Sequence, residues 1–228
     1  MKKSTYLVSF FTTLLAACGG GGSSDPAPAA SVPETTLSPT FGACFELKPG
    51  VKFITSNGYK KTVVQEMFNG VSAFGVNERR PNDTNFGTNY WVISGGFVHF
   101  LGSVDYDDRG LLSSYFVYSN SSQIPLNMVP GQTIKLAYTS TNTRAENQSV
   151  TTENKDSSLT FSGFENLTLG GRVFMNTCKM KDPSSIAGQT IVTWVAQGFG
   201  LIARENQDAQ GAIIKDSRIE LKTIVANP

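Results

Sequence analysis

Tyr90-Trp91-Val92-Ile93-Ser94-Gly95-Gly96-Phe97-Val98-His99-Phe100-Leu101 decides the fold class of this chain. Two runs of β-branched and aromatic residues, which suit a pleated and half-buried surface, stand on either side of a Gly-Gly pair. Both glycines accept positive φ at no steric cost, so the pair makes a two-residue turn and folds the runs into an antiparallel hairpin. The same grammar recurs outward. Asn57-Gly58 separates apolar runs at 51–56 and 59–67, and Asn69-Gly70 leads into a third at 71–76. Asp107-Asp108-Arg109-Gly110 turns the chain from 97–106 into 111–119. Further strands are expected at 132–141, 157–164, 171–180, 190–197, 201–205 and 213–224, the last after Asp208-Ala209-Gln210-Gly211.

Alternation supports the strand reading. Tyr115, Val117 and Ser119 oppose Phe116 and Tyr118, and Ile219, Leu221 and Thr223 oppose Glu220 and Lys222. No segment sustains the i, i+3, i+4, i+7 pattern of an amphipathic helix. Turns every ten to fifteen residues or so suit an antiparallel meander in a barrel, half-barrel or sandwich. Segments 77–89 and 142–156, rich in Asn, Thr and Arg, read as long polar loops.

The beginning of the chain reads differently. Lys2 and Lys3 precede a mostly apolar stretch over residues 6–15, and Leu15-Ala16-Ala17-Cys18 follows. Such a stretch is a processing signal, too short for a spanning helix of about 20 apolar residues. The small residues before Cys18 resemble the lipobox of bacterial lipoproteins. That resemblance implies cleavage after residue 17, a diacylglyceryl thioether and an N-acyl chain on Cys18, and a membrane as partner. Gly19, where Asp would imply inner-membrane retention, points to the outer membrane. Residues 18–40 carry Gly19 to Gly22, Ser23, Ser24 and prolines 26, 28, 33 and 39, with almost nothing to bury, and read as a tether. A single domain is then expected over 41–228, long enough for a sizeable core.

Charge excludes one class of partner. The chain has 19 basic and 18 acidic residues, and removal of the signal leaves 17 against 18. No basic cluster marks a nucleic-acid footprint. With Cys18 lipidated, Cys44 and Cys178 remain. Export places them in an oxidising compartment, so a Cys44–Cys178 disulfide is expected, the alternative being two separate buried thiols.

The residue types needed for catalysis are scarce. His99 is the single histidine, which excludes multi-histidine metal centres, and no Gly-x-Ser-x-Gly elbow accompanies it. A half-buried sheet histidine bonded to backbone is the expected role. A Cys-His pair would need a free thiol that the disulfide removes. Asp105, Asp107 and Asp108 lack the glycine and the distal bidentate Glu of a Ca²⁺ loop and read as a solvated turn. No catalytic residue, metal ligand or cofactor is assigned, and the ligand-binding residues are left unassigned.

The strongest pattern lies late in the chain. Gly163-Phe164-Glu165-Asn166-Leu167-Thr168-Leu169-Gly170-Gly171-Arg172-Val173-Phe174-Met175-Asn176-Thr177-Cys178 leads towards Thr193-Trp194-Val195-Ala196-Gln197-Gly198-Phe199-Gly200-Leu201-Ile202-Ala203-Arg204-Glu205. With the opening Cys44-Phe45-Glu46-Leu47-Lys48-Pro49-Gly50-Val51-Lys52-Phe53, it resembles a group of uncharacterised envelope proteins related to the lipoprotein-carrier fold. Gly171-Arg172 and Gln197 depart from the group's turns, where Pro-Ala-Gly and proline are usual. The resemblance implies an all-β, antiparallel half-open barrel, with a closed barrel or a sandwich as the alternative. Read from the residues alone, Trp194 and Phe199 are core anchors, Gly198 and Gly200 let the strand bend, and Arg204 and Glu205 mark the wet end of a hairpin.

The expected function is a non-catalytic envelope lipoprotein that binds an apolar or amphipathic ligand or serves in envelope assembly with a partner protein. The alternative is a surface-displayed lipoprotein for adhesion or host-protein binding.

Overall fold

The structure is a computed structural model that describes residues 39–119 and 123–226. Cys18 and the rest of residues 1–38 lie outside it. A 3₁₀ turn, η1 (Phe41–Phe45), precedes thirteen strands: β1 (Lys52–Thr55), β2 (Lys60–Phe68), β3 (Val71–Arg79), β4 (Asn85–Ser94), β5 (Phe97–Tyr106), β6 (Leu112–Ser119), β7 (Gln123–Pro125), β8 (Thr133–Arg144), β9 (Val150–Leu169), β10 (Arg172–Pro183), β11 (Thr190–Ala196), β12 (Gly200–Gln207) and β13 (Ile219–Ala226). Every strand pairing is antiparallel.

The expected half-open barrel is wrong in one decisive respect. β4 and β5 pair with each other, and β1 pairs with β13, so twelve strands close into a ring with no free edge. β7 stands outside that ring, paired to β5 alone at Phe97–His99 along the line of β6. The closed barrel, given above as the alternative, is the architecture formed. The Gly95-Gly96 turn joins β4 to β5 over eight residue pairs, and the ring closes where the first strand, β1, pairs with the last, β13, which leaves no edge among the twelve.

Tight turns gather at one end of the barrel. Asn69-Gly70, Gly95-Gly96 and Gly170-Gly171 all have positive φ at both positions, the geometry that matches the twist of the flanking strands. The opposite end carries the longer connections at 80–84, 107–111, 145–149, 184–189 and 208–218.

A ring of twelve strands is wider than the eight whose side chains alone fill a barrel. Here η1 fills one end. Phe41 packs on Phe161 with ring centroids 4.6 Å apart, and Cys44 is bonded to Cys178 of β10 with a Cα–Cα distance of 6.1 Å. The amide of Gly42 donates to the carbonyl of Leu126, and that of Gly198 to the carbonyl of Glu46, tying the plug segment to the β7–β8 and β11–β12 connections. The core continues through Phe53, Val63, Val76, Trp91, Phe199, Ile202 and Leu221. Trp194 and Phe199 are both buried, as expected, and Gly198 and Gly200 take φ of 83° and 77°.

A second, smaller cluster lies on the opposite sheet face. Neighbours in sequence divide between the two: Phe74 and Trp91 join the main core, whereas Ala73 and Tyr90 join the second. Phe68 stacks between Tyr90 and Tyr115, at 4.3 and 5.1 Å.

Candidate ligand site at the open end of the barrel

Cross-strand partners share a face, so the register identifies which side chains line the interior away from the plug. One inward row runs Phe53, Lys61, Glu78, Gly87, Asp105, Ser114, Arg144. The next, one layer deeper, runs Val63, Val76, Asn89, Ser103, Phe116, Asn142. Thr55, Leu221 and Ile219 share that inward face on β1 and β13, and Arg204 and Thr193 extend it across β12 and β11. The barrel is therefore apolar inside at the plug end and polar inside at the other.

This inversion explains why 77–89 and 142–156 were expected to be loops. Both are mostly strand, in β3–β4 and β8–β9. Their inward positions hold Glu78, Asn89, Asn142 and Glu153, which erases the apolar alternation that marks a strand beside a greasy core.

A cavity of about 400 Å³, partly open to solvent, occupies this polar end between β1–β4 on one side and β12–β13 on the other. Thr55, Asn57, Tyr59, Lys61, Glu78 and Asn89 supply polar groups, and Phe86, Ile202 and Ile219 supply apolar wall. Tyr59 and Phe86 meet edge to face at 5.0 Å. Lys61 Nζ lies 2.9 Å from Glu78 Oε1, and both side chains are largely buried. Arg204 enters the cavity lining from β12. Among the described residues it has no ion pair and is exposed, as expected of a wet hairpin end, but its neighbour departs from that expectation. β12 runs on to Gln207, and Glu205 is buried on the other face, 2.6 Å from Arg218.

Two inward carboxylates besides Glu78 and Glu153 are perturbed by burial. Asp105 lies over Gly87, where an added Cβ would be 3.3 Å from its Oδ1, and burial raises its pKa. Asp182 of β10 is pushed up to about 6 by burial, with the positive charge of Arg204 acting against that shift. One residue beyond Asn89 on the inward face, Trp91 is buried with its indole N–H unpartnered among the described residues.

The other residues singled out from sequence take ordinary roles. His99 Nε2 lies 3.1 Å from the carbonyl of Ser94, on the face opposite Val98 and Phe100. Asp107 closes its hairpin by accepting from the amides of Arg109 and Leu111. None of them belongs to the cavity. Of the residues that do, Lys61, Glu78 and Asn89 were not singled out, and Arg204 was read only as the wet end of a hairpin. A signal existed for one pair: a two-residue turn at Asn69-Gly70 forces Lys61 opposite Glu78.

Comparison of the chain with family models, characterised proteins and solved structures finds no match.

Proposed function

We propose that this chain is a non-catalytic envelope lipoprotein, held to a membrane by acyl chains on Cys18, whose barrel binds a small amphipathic ligand at its open end. The observation that carries this reading is the cavity of about 400 Å³ with a mixed polar and aromatic wall. Small-molecule sites are of this size and lie in the mouths of barrels. The outward face of β8 and β9 supports a barrel surrounded by water. There Thr133 bonds Thr160 at 2.8 Å, Thr139 bonds Asn154 at 3.1 Å, and Lys135 pairs with Ser158. A lipid-facing barrel carries an apolar band at such positions. The lipobox supplies the address, with Gly19 pointing to the outer membrane.

The test uses the full chain with Cys18→Ser, so that neither acyl chains nor detergent compete. N-phenyl-1-naphthylamine, an uncharged amphipathic fluorophore, is titrated into the protein and into Asn89→Trp, which fills the cavity. Saturable one-to-one binding that the substitution removes is expected. No binding, or equal binding to both proteins, refutes the reading.

A second reading, surface display for adhesion or host-protein binding, is favoured by exposed Leu111, Leu112, Ile186 and Ile213 on hairpins around the same end. Protease treatment of intact cells separates the two, since complete protection excludes display.

A further inference from the structure

We infer that the ligand of this cavity carries an anionic head, gripped by Arg204, on an apolar or aromatic body. This inference rests on the cavity being a ligand site and adds the chemical class of what enters it. The charges in the lining are few. Lys61 is committed to Glu78 at 2.9 Å, and the pair is neutral as a unit. Thr55, Asn57, Tyr59 and Asn89 are uncharged, and Phe86, Leu201, Ile202, Ala203 and Ile219 are apolar. Arg204 is the remaining charge in the wall, so the lining as a whole is positive by one.

Its placement is inward by register. Arg204 pairs with Thr193 on β11 and with Ile219 on β13. Ile219 lines the same cavity, and Leu221, two residues on, pairs with Thr55 of the wall. The neighbouring Glu205 points to the opposite face, where Arg218 holds it, so it does not neutralise Arg204. Asp182, on β10 two strands from Arg204, feels the charge of the guanidinium, but no ion pair joins them among the described residues. Asp105 lies over Gly87, and neither carboxylate belongs to the cavity wall.

A guanidinium is the side chain best suited to hold a planar or tetrahedral oxyanion, because its fork donates two parallel hydrogen bonds. Tyr59 and Phe86, packed edge to face, offer the body of such a ligand an aromatic wall. A ligand with a carboxylate, sulfonate or phosphate ester head and a compact apolar body matches both halves. A cationic ligand would meet Arg204 as a like charge.

The experiment compares two probes that share one body. 8-Anilinonaphthalene-1-sulfonate is the sulfonated counterpart of N-phenyl-1-naphthylamine, and both are titrated into the Cys18→Ser chain with and without Arg204→Gln. The sulfonate is expected to bind at least tenfold tighter than the neutral probe, and Arg204→Gln is expected to cut that preference about tenfold. Arg204→Lys, which keeps the charge and loses the fork, should restore part of it. Equal binding of the two probes, or an unchanged preference in Arg204→Gln, overturns the anionic head and leaves the cavity reading standing. Failure of both probes to bind overturns both.

Discussion

Lys61 and Glu78 face each other across β2 and β3 with nitrogen and oxygen 2.9 Å apart, inside the polar end of a barrel whose other end is packed with phenylalanine. The pair is the direct product of the Asn69-Gly70 turn, which sets the register of the two strands. Removing one partner leaves a charge with little water to solvate it, a loss of about 3 kcal/mol or more for a fully buried pair. The cavity admits some solvent, so Glu78→Gln is expected to cost about 2 kcal/mol in urea unfolding. Lys61→Met with Glu78→Leu, which removes both charges, should recover most of that. A double variant as unstable as the single one would show that the charges themselves are not at issue.

Asp182 sets a pH dependence of defined sign. Its folded pKa, about 6, is above the ordinary aspartate value of 3.8, so the folded state binds the proton more tightly than the unfolded chain does. Stability from this group is fully present below about pH 4 and is lost as pH rises through 6. Asp182→Asn is therefore expected to stabilise the protein at pH 7 by about 1 kcal/mol, after allowance for residual solvent contact, and to leave it unchanged at pH 3.5. Thermal midpoints of both proteins between pH 3.5 and 7 measure this. Parallel profiles would show that the carboxyl ionises normally.

Gly102 is a steric necessity. With φ at 151°, an added Cβ would sit 2.0 Å from the carbonyl oxygen of Phe116 and 2.8 Å from Cζ of Phe68. Gly102→Ala is expected to cost about 3 kcal/mol or to prevent folding, since the obstructing atom is backbone that cannot rotate away. Gly95→Ala is the control. It shares positive φ, at 59°, but nothing lies within 4 Å of the new Cβ, so about 1 kcal/mol is expected.

The Cys44–Cys178 bond closes a loop spanning 134 positions. Chain entropy assigns such a closure roughly 4–5 kcal/mol. Cys44→Ala with Cys178→Ala is expected to lower the denaturant midpoint by a corresponding amount while η1 still packs through Phe41 and Phe45. Non-reducing mass spectrometry of the purified wild-type chain should find no free thiol at either position. Two free thiols would contradict the bond.

Local chemistry alone determined a good deal of this protein. Asn69-Gly70 and Gly95-Gly96 announce their own turns because these residues accept the positive φ that such turns demand, and alternation marks Tyr115 to Ser119 and Ile219 to Thr223 as strands. Trp194 and Phe199 proclaim burial by size. The candidate site was hidden for a related reason. Where the barrel interior turns polar, inward Glu78, Asn89 and Asn142 look no different from surface residues, so strands there imitate loops. Closure, too, was beyond local reading: a half-open and a closed barrel use the same hairpins, and they differ in whether the first strand, β1, finds the last, β13. Whether Arg204 faces water or a cavity depends on its partners Thr193 and Ile219, which lie in other strands. Turn chemistry belongs to adjacent residues and is written in the sequence; the inside of a barrel exists only after twelve strands have met.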